Sequence, residues 1–280
     1  MKAKKSLGQN FLKSEVALRK IVEAGEIKLD DIILEIGPGK GALTEQLLER
    51  AGTVIAVEKD RELFEFLKEK FAKQIALDSL VLVHEDIMRF EMNEAILIFM
   101  NGLAEPDSGR ARRTEDLNKN TKLRNYKIIA NIPYNITGAI LKKFLTAENQ
   151  PSAMVLMVQQ EVAQRIIARD GKQSILSISV KAYGEPKMIM KVEKRYFSPA
   201  PKVDSAIIAI KNISRGLFEK NKIDEEEFWQ IVKKGFAHKR KKLSSNLKNI
   251  ILPSQEPFLR KLGDKRAENL TLEDWISLAK

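Results

Sequence analysis

A short apolar run, Ile32 to Ile36, passes directly into Gly37-Pro38-Gly39-Lys40-Gly41, and an apolar-periodic stretch begins at Ala42. That junction constrains the fold more than any other feature of the chain. A compact apolar run beside a glycine cluster reads as a strand buried on both faces. Alternate glycines let the backbone bend sharply and approach a ligand closely, and the helix that follows offers free N–H groups at its start. Strand, glycine turn and helix in that order are the opening unit of a parallel sheet with helices on both faces.

The alternation continues. Thr53 to Val57 reads as a second strand ending in Glu58, and Leu80 to Val83 as a third leading into Glu85-Asp86. Tyr126 to Ala130 feeds Asn131-Ile132-Pro133-Tyr134, and Ala153 to Val158, Lys187 to Val192 and Ala206 to Ile210 complete the strands. Helices are predicted from an N-cap at Ser14 to Gly25, and over 42–51, 61–73, 139–145, 160–168 and 175–183. Phe197-Ser198-Pro199-Ala200-Pro201 reads as a proline-rich turn. Beyond Asn212 the pattern is helical only: Asp224 caps Glu225-Glu226-Glu227, and Thr271 with Asp274 resembles a capping box. The expected organisation is a Rossmann-like α/β domain over 1–212 and a small all-helical domain over 213–280. An irregular insertion is expected at about 90–125.

Three strand ends then present acceptors along one sheet edge, where doubly wound folds bind ligands. Gly37 and Gly39 come from the first and Glu58 from the second, 21 residues after Gly37. A carboxylate there can accept both hydroxyls of a ribose. Asp86 ends the third strand, placed to accept from an adenine amine. The spacing Gly37-x-Gly39-x-Gly41 departs from the Gly-x-Gly-x-x-Gly of diphosphate-carrying cofactors, although a dinucleotide enzyme stays open on this ground alone.

Asn131-Ile132-Pro133-Tyr134 directly follows a strand. An exocyclic adenine amine is a poor nucleophile, because its lone pair is delocalised into the ring. Acceptors that grip the amine hydrogens favour the pyramidal, nucleophilic form. The Asn131 side-chain oxygen and the carbonyl of Ile132 or Pro133 are such acceptors, and Pro133 stiffens the turn that aims them. Tyr134 offers a face for a flipped base. The neutral amine needs no charged base before it is methylated.

Charge agrees with a nucleic-acid substrate. Lys and Arg number 49 against 38 acids, a net +11, which points to a polyanionic partner, nucleic acid before an acidic membrane. The 233–248 segment holds seven Lys/Arg, including Lys239, Arg240, Lys241 and Lys242, and no acid, so phosphate contact is expected there. There is no cysteine, which removes disulfides, zinc–thiolate sites and thiol nucleophiles and fits a reducing cytosol. His84 and His238 stand alone, so no metal site is expected. The N-terminus has no apolar secretory region, and the apolar run Ala95 to Met100 is too short to cross a bilayer. A cytoplasmic protein is expected.

Taken together, these motifs resemble the ribosomal RNA adenine dimethyltransferases, and within them the bacterial small-subunit branch. The resemblance runs nearly end to end. It is carried by Leu7-Gly8-Gln9-Asn10-Phe11-Leu12, Glu35 to Gly41, Glu58, Asp86, Asn131 to Tyr134, Phe197 to Ser205 and Phe236 to Leu243. It implies a class I methyltransferase sheet with S-adenosylmethionine as cofactor. Asn10 and Leu12 would contact the methionine end, Gly37 would lie under it, Glu58 would take the ribose and Asp86 the adenine. Asn131 would touch cofactor and target amine, while Tyr134 and Phe197 would sandwich the base. The implied substrate is two adjacent adenosines near the 3′ end of small-subunit rRNA, on an immature 30S subunit, met by a monomeric enzyme. One departure stands out: Asp86 and Asn131 are 45 residues apart, longer than the family pattern. The extra residues read as a surface insertion. The alternative is a basic flap touching RNA, since 105–127 carries seven Lys/Arg against four acids.

Overall fold

In the computed structural model, residues 3–92, 126–248, 250 and 253–280 are described. The basic segment predicted as an insertion therefore lies almost wholly outside the described residues. Nine strands are described: β1 (Phe11–Leu12), β2 (Ile32–Ile36), β3 (Thr53–Glu58), β4 (Leu80–His84), β5 (Tyr126–Asn131), β6 (Ala153–Gln159), β7 (Glu185–Val192), β8 (Phe197–Ser198) and β9 (Ser205–Lys211). Seven of them form one sheet in the order β4-β3-β2-β5-β6-β9-β7. The pairs β2–β3, β3–β4, β2–β5 and β5–β6 are all parallel. Every residue of β2 and β3 is buried, as continuous apolar runs covered on both faces require.

Two compact units are distinguished, 1–159 with 189–209, and 160–188 with 210–280. In the first, α1 (Glu15–Ala24), α2 (Ala42–Leu48), α3 (Arg61–Lys70), α4 (Ala72–Ala76) and α5 (Thr137–Leu145) accompany the strands. Ser14 caps α1 through a bond from Ala17 N, and Ala17, Leu18, Ile21 and Val22 are buried. They share one core with Leu43, Leu47, Leu67 and Phe71 and with sheet residues Ile33, Val54, Ala56, Ile129 and Val155. The helix predicted over 61–73 is broken at Phe71, which has φ −109° and ψ 24°. Its ring is buried beneath the glycine turn, so close that a Cβ on Gly41 would lie 2.5 Å from it. Phe197-Ser198 is not only a turn: as β8 it pairs antiparallel with β1, Leu12 opposite Phe197 and Phe11 opposite Ser198.

The second unit contains α6 (Gln160–Ile167), α7 (Ile175–Lys181), α8 (Gly216–Asn221), α9 (Glu225–Gly235), α10 (Leu243–Leu247), α11 (Glu256–Leu262) and α12 (Leu272–Leu278). Asp224 caps α9 by accepting from Glu227 N, and Thr271 with Asp274 closes a capping box on α12. Trp275 is fully buried against Gly235, where a Cβ would stand 2.4 Å from the indole. The contact exists only because that position has no side chain. No described helix is long and apolar enough to cross a membrane.

Candidate active site

The strand order reverses between β2 and β5: β3 and β4 lie to one side of β2, and β6 lies beyond β5. At such a reversal the loops leaving neighbouring strands diverge and open a crevice at the carboxyl ends. Here the loops after β2, β3, β4 and β5, together with the segment 6–13, enclose a cavity of about 440 Å³. Asn10, Leu12, Gly37, Gly39, Glu58, Asp86, Asn131, Ile132, Pro133 and Tyr134 all line it. Of the residues predicted for cofactor and target base, only Phe197 does not. Phe197 is 2% exposed and belongs to the core, so in this conformation it offers no face to a base. Its neighbour Ser198 lines the cavity instead.

The glycine turn bends through left-handed conformations, with φ of +65° at Gly37 and +62° at Gly39. A Cβ on Gly37 would meet nothing within 4 Å, whereas one on Gly39 would lie 3.0 Å from the Phe11 ring. One glycine thus leaves the cavity open, and the other lets β1 pack against the turn.

Glu58 is buried at the end of β3, accepting from Asp60 N at 2.8 Å and Gly39 N at 3.2 Å. Burial holds its carboxyl above the usual range, and these N–H groups oppose that shift. Asp86 accepts from Lys59 Nζ at 2.8 Å and Met88 N at 3.0 Å. Lys59 above all holds its carboxyl below the usual range, so Asp86 is an ionised acceptor.

Asn131 Nδ2 donates to the Asn10 carbonyl at 3.1 Å. That bond fixes the amide, and its Oδ1 is the acceptor left on the side chain. The Pro133 carbonyl already accepts from Ile136 N at 3.3 Å, while the Ile132 carbonyl takes no backbone bond among the described residues. Of the two carbonyls named from sequence, Ile132 is the freer. The Tyr134 hydroxyl is bonded to that of Ser205, and burial raises its pKa.

Two buried carboxylates to which the motif reading gave no role stand at the site, Glu35 in the cavity wall and Asp60 beside Glu58 behind it. Glu35, in β2, is 1% exposed, and its Oε2 has no partner among the described residues. Burial, reinforced by the charge of Glu58, pushes its carboxyl up to about 8. A carboxylate inside an otherwise apolar strand was the available signal. Asp60 is 4% exposed and accepts from Lys4 Nζ at 2.7 Å, Gln9 Nε2 at 2.8 Å and Glu62 N at 3.0 Å. Its position before Arg61 marks a helix cap. Nothing local marks its bonds to Lys4 and Gln9, which are more than fifty residues away.

In the second unit, Lys239, Arg240, Lys241 and Lys242 are exposed in the turn between α9 and α10. Asn246 holds that turn from inside, donating to the Gly235 carbonyl at 2.6 Å and the His238 carbonyl at 3.2 Å. Lys242 pairs with Asp264 at 2.7 Å. Lys239 also joins Arg165, Arg169, Lys172 and Phe236 around a second cavity of about 880 Å³.

Comparison with known proteins agrees with this architecture. A curated relative from Dehalococcoides mccartyi, named ribosomal RNA small subunit methyltransferase A, is 38% identical over 99% of this chain and 88% of its own length. One of the same name from Fusobacterium nucleatum is 35% identical over 100% of this chain and 97% of its own. Among solved structures, a dimethyladenosine transferase from Plasmodium falciparum superposes with a TM-score of 0.73 at 24% identity, over 96% of this chain and 95% of that one. The 23S rRNA methyltransferase ErmE gives 0.71 at 24% identity, over 96% and 98%. These two share the fold. The model of the family described as ribosomal RNA adenine dimethylase matches residues 1–280, and with relatives at 35–38% identity over most of their own length the chain belongs to that family.

Proposed function

We propose that this chain methylates the exocyclic amines of two adjacent adenosines near the 3′ end of small-subunit rRNA, using S-adenosylmethionine, in four transfers that yield two dimethyladenosines. The relatives' names support the substrate class. The observation that carries the chemistry is Asn131: its amide is pinned by Asn10 while its Oδ1 is left as an acceptor, in the same cavity as the glycine turn, Glu58 and Asp86.

The residues present fit the cofactor. A cavity of about 440 Å³ is within the range for a molecule of that size. The open face of Gly37 and the unpartnered Glu35 Oε2 are surfaces a polar ligand would complete. Asn10, Leu12, Gly37 and Gly39 would hold the amino-acid end, Glu58 the ribose hydroxyls, and Asp86 the adenine amine. When bound, S-adenosylmethionine supplies a methyl group activated by a sulfonium.

The chain's own part is to prepare the amine. Asn131 Oδ1 and the Ile132 carbonyl accept its two hydrogens and turn its lone pair out of conjugation. Pro133 restricts the turn that aims both, and the Tyr134 ring, fixed through Ser205, stacks on the extruded base. No protein base is required before transfer, and the product sheds its proton afterwards. Phosphates of the RNA would meet the exposed cations of 239–242.

Asn131→Ala tests the assignment. It should keep the fold and retain S-adenosylhomocysteine binding within a few-fold by calorimetry, while turnover falls about 100-fold or more. Turnover at the wild-type level would refute it.

A further inference from the structure

We infer that Tyr196, with the Arg195 guanidinium laid over its ring, is a stacking platform for a nucleobase flanking the target adenine. The inference rests on the functional reading above and assigns a residue that reading leaves unused.

Of the chain's four tyrosines, Tyr126 and Tyr183 are buried and Tyr134 has its hydroxyl engaged in the cavity wall. Tyr196 is 36% exposed. Arg195 Cζ lies 5.1 Å from its ring centroid, and Glu193 steadies the guanidinium at 3.1 Å. An exposed aromatic ring with a guanidinium held beside it offers a base both a stacking face and a cation. The backbone beneath is fixed, because the Tyr196 carbonyl accepts from Lys13 N at 2.8 Å and Tyr196 N donates to Glu193.

Position gives the platform its meaning. Tyr196 closes a 3-10 turn over Lys194–Tyr196, Phe197 is extended with φ −116° and ψ 158° and turns into the core, and Ser198 follows two residues after Tyr196. Ser198 lines the cavity that contains Tyr134. Two residues span at most about 7 Å of chain. At about 3.4 Å per stacked nucleotide, that is a reach of up to two nucleotides from the cavity's edge at Ser198. The surrounding charge favours a phosphate chain. Lys13, Lys194 and Lys202 are exposed nearby, and the acids Glu193 and Asp204 are each paired with a cation, Arg195 and Lys191.

The test is methyl transfer to unmethylated small-subunit particles by the full chain. Tyr196→Ala and Tyr196→Leu should raise KM for the particles about 10-fold, leaving kcat and KM for S-adenosylmethionine unchanged. Tyr196→Phe should restore the wild-type value, since a ring stacks and an aliphatic chain of similar bulk does not. A wild-type KM in Tyr196→Ala, or equal rescue by Leu and Phe, would overturn the platform. If the wild-type chain itself fails to methylate the particles, the functional reading falls and the platform with it.

Discussion

Glu35 is a carboxyl group in a strand where every other residue is apolar. Burial pushes its pKa from 4.5 up to about 8, so at neutral pH it holds its proton and can both donate and accept in the cavity wall. The consequence for stability has a definite sign. The native state favours the protonated form, so the contribution is fully present below the ordinary carboxyl range. It is lost as pH rises through about 8. Within that window it falls by about 1.4 kcal/mol per pH unit. Glu35→Gln has no such proton to lose. Thermal denaturation between pH 5 and 9 should therefore show the wild-type Tm falling relative to the variant as pH rises. Parallel curves would show that Glu35 titrates normally.

Among the elements, the N-terminal segment is the one that builds the site without belonging to the sheet. Lys4 and Gln9 tie it to Asp60 at the end of β3, Asn10 ties it to Asn131 after β5, and β1 ties it to β8. Burial would lift the Asp60 carboxyl, but the bonds from Lys4 and Gln9 outweigh that and hold it below its usual range. Asp60→Ala removes this anchor and the cap of α3. It should cost about 2 kcal/mol, and proteolysis within the first dozen residues should become about 10-fold faster. A cleavage pattern like the wild type's would place the anchor elsewhere. The same elements show what was legible in the sequence. β2, β3 and β5 could be read because buried parallel strands are continuous apolar runs, and reading them brought Gly37, Glu58 and Asn131 to one edge. β1 and β8 could not, because two-residue strands carry no period and their pairing spans most of the chain. For the same reason Phe197 was expected at the base and is found in the core. Phe71 ends α3 early through a contact with Gly41 that no local pattern encodes.

For the whole molecule, the net charge of +11 becomes specific only where the cations are displayed. The exposed turn over 239–242, shaped by Asn246, is such a display. RNA affinity should fall linearly with the logarithm of salt concentration, by about 0.7 for each phosphate contacted. Replacing Lys239, Arg240, Lys241 and Lys242 together by Ala should flatten that slope by up to about 3. An unchanged slope would move the phosphate contacts elsewhere, the second basic cavity being the next place to look.

Adenine methylation of small-subunit RNA is read out by labelled methyl transfer. The full chain and S-adenosylmethionine would be offered immature small subunits and, separately, large-subunit RNA, and each RNA would be digested to nucleosides. Label is expected in dimethyladenosine from the small subunits alone. Label in large-subunit RNA, in a nucleoside other than methylated adenosine, or in no RNA would contradict it.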